Sequence, residues 1–133
     1  MLRLEIVTPE RRVLDTEVEM VTVPTASGEA GILTNHAPLV SELKAGVLSY
    51  TLRGNIDRLA IAAGFVEVSG NKVSVLTDAA EAPDEINVEA ARAELAAAEK
   101  DLAAAASEDI ESTAALRERF EAAETRLRVA TGK

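Results

Sequence analysis

An N-terminal antiparallel β-sandwich followed by a C-terminal antiparallel helical hairpin is the fold this sequence predicts. Three observations lead there. Up to about Ala82 the apolar residues are largely β-branched, alternate with polar ones and are broken at short intervals by Gly, Pro or Asn. From Val88 onward there is no Pro and no Gly before Gly132, and alanine, the best helix former, dominates. Between the two, Ala82-Pro83-Asp84-Glu85 breaks both patterns. The chain therefore divides into a β domain at residues 1–83 and a helical hairpin at 84–133.

The elements follow in order. LRLEIV alternates and ends at Thr8-Pro9, and VLDTEVEMVTV is a β-branched run that stops at Pro24. GEAGILTNHAPL, from Gly28, reads as a loop that carries the lone histidine, His36. YTLRGNIDRLAI holds a Gly54-Asn55 turn between two apolar runs. FVEVSGNKVSVL is the clearest hairpin. Val66 and Val68 share one face, Val73 and Val75 return along it, and Gly70-Asn71 supply the positive-φ turn. Strands this short, so regularly turned, form two thin sheets more readily than a wide barrel.

Asn87 is placed to cap the first helix. SEDIES, Ser107 to Ser112, interrupts the helical run, so two helices joined by a turn are expected. The first carries an apolar seam of Val88, Ala91, Leu95, Ala98, Leu102 and Ala105, stepping alternately by three and four. The second carries Thr113, Leu116, Phe120, Ala123, Leu127 and Ala130 in the same rhythm. Folded back antiparallel, facing seam positions keep a constant sum of residue numbers, and large side chains mostly meet alanine. The same register sets Asp101 opposite Arg119, Glu94 opposite Arg126, Glu99 opposite Arg117 and Arg92 opposite Glu124. Exposed pairs contribute only about 0–1 kcal/mol each, so their expected role is to set register. A two-heptad hairpin with an alanine seam is marginal alone. It should lean on the β domain, and it could open.

Composition removes several function classes. The chain has 133 residues and is 47% hydrophobic, yet only Tyr50, Phe65 and Phe120 are aromatic, so aliphatic side chains must do the packing. A formal charge of −9 leaves no surplus of cations for nucleic acid or an anionic lipid surface. No Cys is present, which removes disulfides, thiolate nucleophiles and Cys-based metal sites together. No apolar run serves as a signal peptide or approaches the roughly 20 residues of a membrane span. A cytoplasmic protein without direct membrane insertion is therefore expected. One His without Cys does not make a zinc site, no nucleophile–base–acid constellation assembles, and no phosphate loop occurs. No catalytic and no metal-ligating residues are expected, and the residues read as an interaction protein.

GEAGILTNHAPLVSELKAG, AAGFVEVSGNKVSVLTDAAE and the helical hairpin after them resemble, in that order, the epsilon-subunit family of bacterial F-type ATP synthases. The resemblance covers essentially the whole chain. It implies a β-sandwich with a helical hairpin, and a non-catalytic rotor subunit on the central stalk. Its implied partners are the gamma subunit and the c-subunit ring, and the catalytic alpha/beta hexamer when the hairpin is extended. Its implied place is the cytoplasmic face of the bacterial inner membrane, as a peripheral protein that couples proton flow to ATP synthesis. By position, Glu29, Gly31 and the loop through His36 match the rotor interface, with Glu29 on a loop tip.

The resemblance further implies a hairpin that regulates hydrolysis, and in some relatives binds Mg-ATP at a helix-start motif written I/L-D-x-x-R-A. The nearest match is Val88-Glu89-Ala90-Ala91-Arg92-Ala93, with Val and Glu at the first two positions. An alignment on Ile86-Asn87 instead leaves Ala90 where the arginine belongs. Glu89 and Arg92, with Arg119 and Arg126 for phosphates, are thus the candidate residues for weakly bound Mg-ATP. Arg92 has two readings at this point: phosphate ligand, or partner of Glu124.

Overall fold

A computed structural model of the chain describes residues 1–132; Lys133, the last residue of the expected hairpin segment, lies outside them. Ten strands come first: β1 (Leu2–Val7), β2 (Arg12–Val18), β3 (Met20–Thr25), β4 (Gly28–Leu33), β5 (Leu39–Leu43), β6 (Gly46–Leu52), β7 (Asn55–Ile61), β8 (Gly64–Ser69), β9 (Lys72–Thr77) and the short β10 (Ala80–Glu81). A 3-10 turn at Pro83–Glu85 leads into α1 (Val88–Ala104) and α2 (Ala114–Thr131).

Hydrogen bonding links the strands in the order β10-β7-β6-β3-β5-β8-β9-β1-β2, with β4 added on β3. The path folds over at β3. That strand pairs with β6 through Met20, Val21 and Thr22, then meets β5 only where Thr25 faces Leu43. One layer thus holds β10, β7, β6, β3 and β4, the other β5, β8, β9, β1 and β2. Period-2 alternation points Leu2, Leu4, Ile6, Val21, Val23, Leu48, Val66, Val68, Val73 and Val75 inward, where they form one buried core. The two layers and the appended helices are those the sequence predicts.

Several local expectations need correction. The run VLDTEVEMVTV is two strands, because Glu19 bends the chain between them. Its N–H donates to the Thr51 carbonyl at 2.8 Å and its carboxylate accepts from Arg53 N–H at 2.5 Å. Pro24 lies inside β3 instead of ending it. Its backbone faces the side where pairing with β6 has already stopped, and its carbonyl accepts from Lys44 N–H at 3.0 Å, so no ladder donor is missed. GEAGIL, read as a loop, is strand β4, paired with β3 from Leu33 against Met20 to Gly28 against Thr25. β1 runs parallel to β9, Leu4 beside Val73, although an antiparallel sandwich was expected throughout. Alternation shows which face is buried and is blind to strand direction.

The turns are shifted in one case. Gly70, at φ +60°, opens a two-residue loop as expected. The β6–β7 loop is Arg53-Gly54, not Gly54-Asn55; both residues have positive φ, at +53° and +80°. Asn55 is already paired with Leu52.

Asn87 caps α1, its side-chain oxygen accepting from Ala90 N–H at 2.9 Å. Gly132 closes α2 in the left-handed region at φ +74°. Along the seam Ala91, Ala98 and Ala105 are buried, with Val88, Leu95 and Leu102 half-buried between them. α2 has a second buried face. Thr125 and Val129 turn toward the β domain, and Val129 shares a small apolar cluster with Ala60, Ile86 and Ala91, flanked by Val47, Leu127 and Ala130. α2 is therefore the helix that docks on β6 and β7, while α1 packs chiefly on α2.

Candidate functional site

The outer face of the second layer carries an open apolar groove. The pairings Glu42–Phe65, Phe65–Leu76 and Leu76–Val7 put these four residues in one row across β5, β8, β9 and β1. Phe65 is 54% exposed and Leu76 56% exposed, and Val40, two residues before Glu42 on the same face, is 72% exposed. Val7, Glu42, Phe65 and Leu76, together with Pro9, Leu43 and Ala63, border an open groove of about 650 Å³. Gly64 forms its floor. A Cβ on Gly64 would come within 2.0 Å of the Leu76 carbonyl oxygen, so only glycine permits this approach of β8 to β9.

Beside the groove the same face turns ionic. Arg3 donates to Asp15 at 2.7 Å, Arg12 reaches Glu5 at 3.3 Å and Asp15 at 3.4 Å, and Lys72 stands 3.9 Å from Glu5. The Arg3 guanidinium, by its hydrogen bond, holds the Asp15 carboxyl below the usual carboxylate range. An apolar strip bordered by paired charges has the composition of a protein-binding surface, with a desolvating centre and a polar rim. Sequence reading missed this face, although a signal was present. Phe65-Val66 and Val75-Leu76 are adjacent apolar pairs on strands, and adjacent strand residues point to opposite faces, so one of each pair must face out.

The residues expected at the rotor interface lie at the other layer and at one end. Glu29 is exposed on β4 opposite Pro24, not on a loop tip; the tip is Ala26-Ser27, where Ser27 N–H donates to the Thr25 hydroxyl at 3.2 Å. Glu29 instead borders a cleft with Lys44 and, from α2, Glu121, Glu124 and Arg128. Gly31 sits opposite Thr22, with Met20 so close that an added Cβ would stand 3.1 Å from its terminal carbon. His36 is half-buried, and its Nδ1 donates to the Ala37 carbonyl at 2.6 Å. Its loop is tied down through Asn35, at φ +67°, whose N–H donates to the Asn71 side chain at 2.8 Å. The imidazole of His36 is thus hydrogen-bonded within a loop that Asn71 ties down.

The hairpin charges re-pair in three of the four expected places. Arg119 reaches Asp101 at 3.1 Å as the register requires, but takes Glu94 as well, at 3.0 Å. Arg126, the expected partner of Glu94, instead forms a two-point pair with Glu81 of β10, at 2.8 and 3.3 Å. Arg117 turns from Glu99 into the interhelix turn, donating to the Ile110 carbonyl at 2.8 Å and to the Thr113 hydroxyl. Glu124 meets Arg128 on its own helix at 3.5 Å, leaving Arg92. The physical reason is reach. A guanidinium takes the nearest carboxylates or carbonyls around it, and the docked β10 and the turn offer groups that helix register does not contain.

The four nucleotide candidates do not converge. Glu89 and Arg92 are exposed in the first turns of α1, Arg119 is engaged by two carboxylates and Arg126 by Glu81. Arg92 forms no ion pair among the described residues. Among the described residues there is also no cluster of metal-ligating side chains and no helix long and apolar enough to cross a membrane.

Comparison with known proteins gives a consistent result. Residues 1–83 match the family described as ATP synthase, Delta/Epsilon chain, beta-sandwich domain. The ATP synthase epsilon chain of Carboxydothermus hydrogenoformans is 48% identical over 77% of this chain and 76% of its own length. That of Halalkalibacterium halodurans is 40% identical over 99% of this chain and 93% of its own. A chain of the Euglena gracilis mitochondrial ATP synthase, solved as OSCP/F1/c-ring, superposes with a TM-score of 0.79 at 27% identity, covering 98% of this chain and 81% of that one.

Proposed function

This chain belongs to the ATP synthase delta/epsilon family, and on that premise we infer that it works as a non-catalytic subunit of the rotating central stalk, coupling c-ring rotation to ATP synthesis. The single observation that supports a docking role is the groove of Val7, Pro9, Phe65 and Leu76 on the outer face of β5, β8, β9 and β1. In this reading the gamma subunit fills that groove. Phe65 is the natural anchor, since a large, half-exposed aromatic side chain loses most water-exposed area on docking. The c-ring meets the opposite layer and its end, at Glu29, Gly31 and His36. The subunit turns with the rotor at the cytoplasmic face of the bacterial inner membrane, attached through its protein partners.

The hairpin supplies the regulatory part of the reading: docked, it leaves the catalytic alpha/beta hexamer free, and extended, it reaches into it. An ATP-sensing role is the second reading. Arg92, exposed near the capped start of α1, favours it, whereas the engagement of Arg119 by Glu94 and Asp101 and of Arg126 by Glu81 counts against it. In that reading Mg-ATP must displace existing ion pairs, so binding is weak.

The test is reconstitution with the gamma subunit. Wild type forms a 1:1 complex that survives gel filtration, and Phe65→Asp weakens it about 10- to 100-fold, as for a central interface anchor. Unchanged affinity in Phe65→Asp overturns the groove as the gamma site. Titration of the free chain with Mg-ATP, compared with Arg92→Ala, decides the second reading.

A further inference from the structure

We propose that the groove on the outer face of β5, β8, β9 and β1 selects a basic partner segment, an apolar side chain flanked by Lys or Arg, and that Glu42 and Glu67 are the carboxylates that select it. The inference rests on the reading of this groove as the gamma site, and it names the chemistry that the gamma segment must carry there. Three observations support it. First, the cations of this face are already taken. Arg3 is held by Asp15, Arg12 by Glu5 and Asp15, and Lys72 by Glu5. Arg11, beside the groove, is held by Glu85 of the 3-10 turn. The β1–β2 half of the face thus neutralises itself.

Second, the carboxylates beside Phe65 are free. Glu42 is its ladder partner on β5, about 5 Å away across the strands, and Glu67 is the next residue on the same face of β8, about 7 Å along it. Both are exposed, and neither forms an ion pair among the described residues. Asp78, which also borders the groove, is exposed and unpaired in the same way. Lys44, two residues after Glu42, belongs to the other layer, where it lines the cleft with Glu29. Third, these charges surround an apolar centre. Val40, Phe65 and Leu76 are each more than half exposed, so a partner that covers them also strips water from the carboxylates beside them. A carboxylate desolvated without a counter-charge is strongly unfavourable, which fixes the sign of the partner over β5 and β8. A second copy of this chain is the wrong occupant, because a two-fold contact would bring Glu42 and Glu67 of both copies onto one shared face.

The test is the rate of association of the full chain with the gamma subunit at low and high salt. Wild-type association should slow as salt rises, as attraction between unlike charges requires. In Glu42→Gln with Glu67→Gln the low-salt rate should fall about tenfold and most of the salt dependence should vanish. Glu42→Lys with Glu67→Lys should slow association about 100-fold. Asp57→Asn with Glu121→Gln removes the same formal charge from exposed carboxylates on β7 and α2. That control should stay within about twofold of wild type, since only charges near the contact steer strongly. An unchanged rate and salt dependence in Glu42→Gln with Glu67→Gln, beside a weakened Phe65→Asp complex, overturns the role of the carboxylates and leaves the groove as the gamma site. Unchanged binding in Phe65→Asp overturns the groove itself. Equal slowing in the control assigns the effect to net charge and overturns selection at the groove. A dimer of the free chain that Glu42→Gln with Glu67→Gln strengthens assigns the groove to a second copy and overturns a basic partner.

Discussion

Replacement of Gly64 by alanine probes the closest backbone approach in the β domain. Gly64 pairs with Leu43 on one side and Thr77 on the other. A Cβ at this position lies 2.0 Å from the Leu76 carbonyl oxygen and 2.8 Å from Thr77 Cα. Ordinary contact begins at 3.4 Å, so β8 and β9 must part by roughly 1.4 Å, the difference between that value and 2.0 Å. No hydrogen bond of normal length survives such a displacement. At risk are the ladder at Gly64 and the buried Thr77 hydroxyl, which donates to the Ala62 carbonyl at 2.8 Å. Two such bonds at about 1–2 kcal/mol each give a loss of about 2–4 kcal/mol. For a chain of this length that is a fall in Tm of about 10 °C. The assay is urea and thermal unfolding followed by tyrosine fluorescence. Tyr50, the sole Tyr in a chain without Trp, lies on β6 and so reads the β domain alone. Gly54→Ala is the control. It faces open space and only its φ of +80° opposes a side chain, a penalty of about 1–2 kcal/mol. A Gly64→Ala protein within 1 kcal/mol of wild type, or no worse than Gly54→Ala, would refute the packing argument.

Two further outcomes follow from the turns. Arg53 occupies the left-handed region at φ +53° in a loop of the Asn-Gly type, so Arg53→Asn should stabilise by about 0.5–1 kcal/mol in the same unfolding assay; a destabilised protein would contradict the turn assignment. In the interhelix turn, the Asp109 carboxylate accepts from Ser112 N–H at 2.8 Å, and that bond lowers its pKa below 3.8. Since the folded-state value is the depressed one, the contribution to stability is complete above the ordinary pKa and is lost as pH falls through the folded one. A carboxyl NMR titration should show Asp109 titrating below 3.8, with the Ser112 amide shifting in step. A midpoint at or above the ordinary value would contradict this hydrogen bond.

Fold class was legible because both halves are written in solvent-facing periodicity. The hairpin from Phe65 to Leu76 could be drawn residue by residue, since Gly70 fits the turn and the valines alternate around it. The helical seam was legible for the same reason, and Asn87 was recognisable as a cap from its position ahead of an alanine-rich run. GEAGIL was not. Two glycines in six residues depress strand propensity, and only pairing with β3 holds the segment extended. The groove was half-legible: adjacent apolar residues at Phe65-Val66 and Val75-Leu76 announce an outward-facing apolar side chain, but only sheet order places Phe65, Leu76 and Val7 in one row.

The charges mark the boundary between the two kinds of information. Sequence determined that arginines and carboxylates line both edges of the hairpin, because helical spacing alone sets which residues share an edge. Which carboxylate each arginine takes was decided by tertiary structure. Arg126 leaves Glu94 for Glu81 because α2 docks against β10, and Arg119 then serves Glu94 and Asp101 together. Helical periodicity is a property of one segment. An ion pair depends on distances between segments, and those exist only after the apolar faces have packed and brought β10 beside α2.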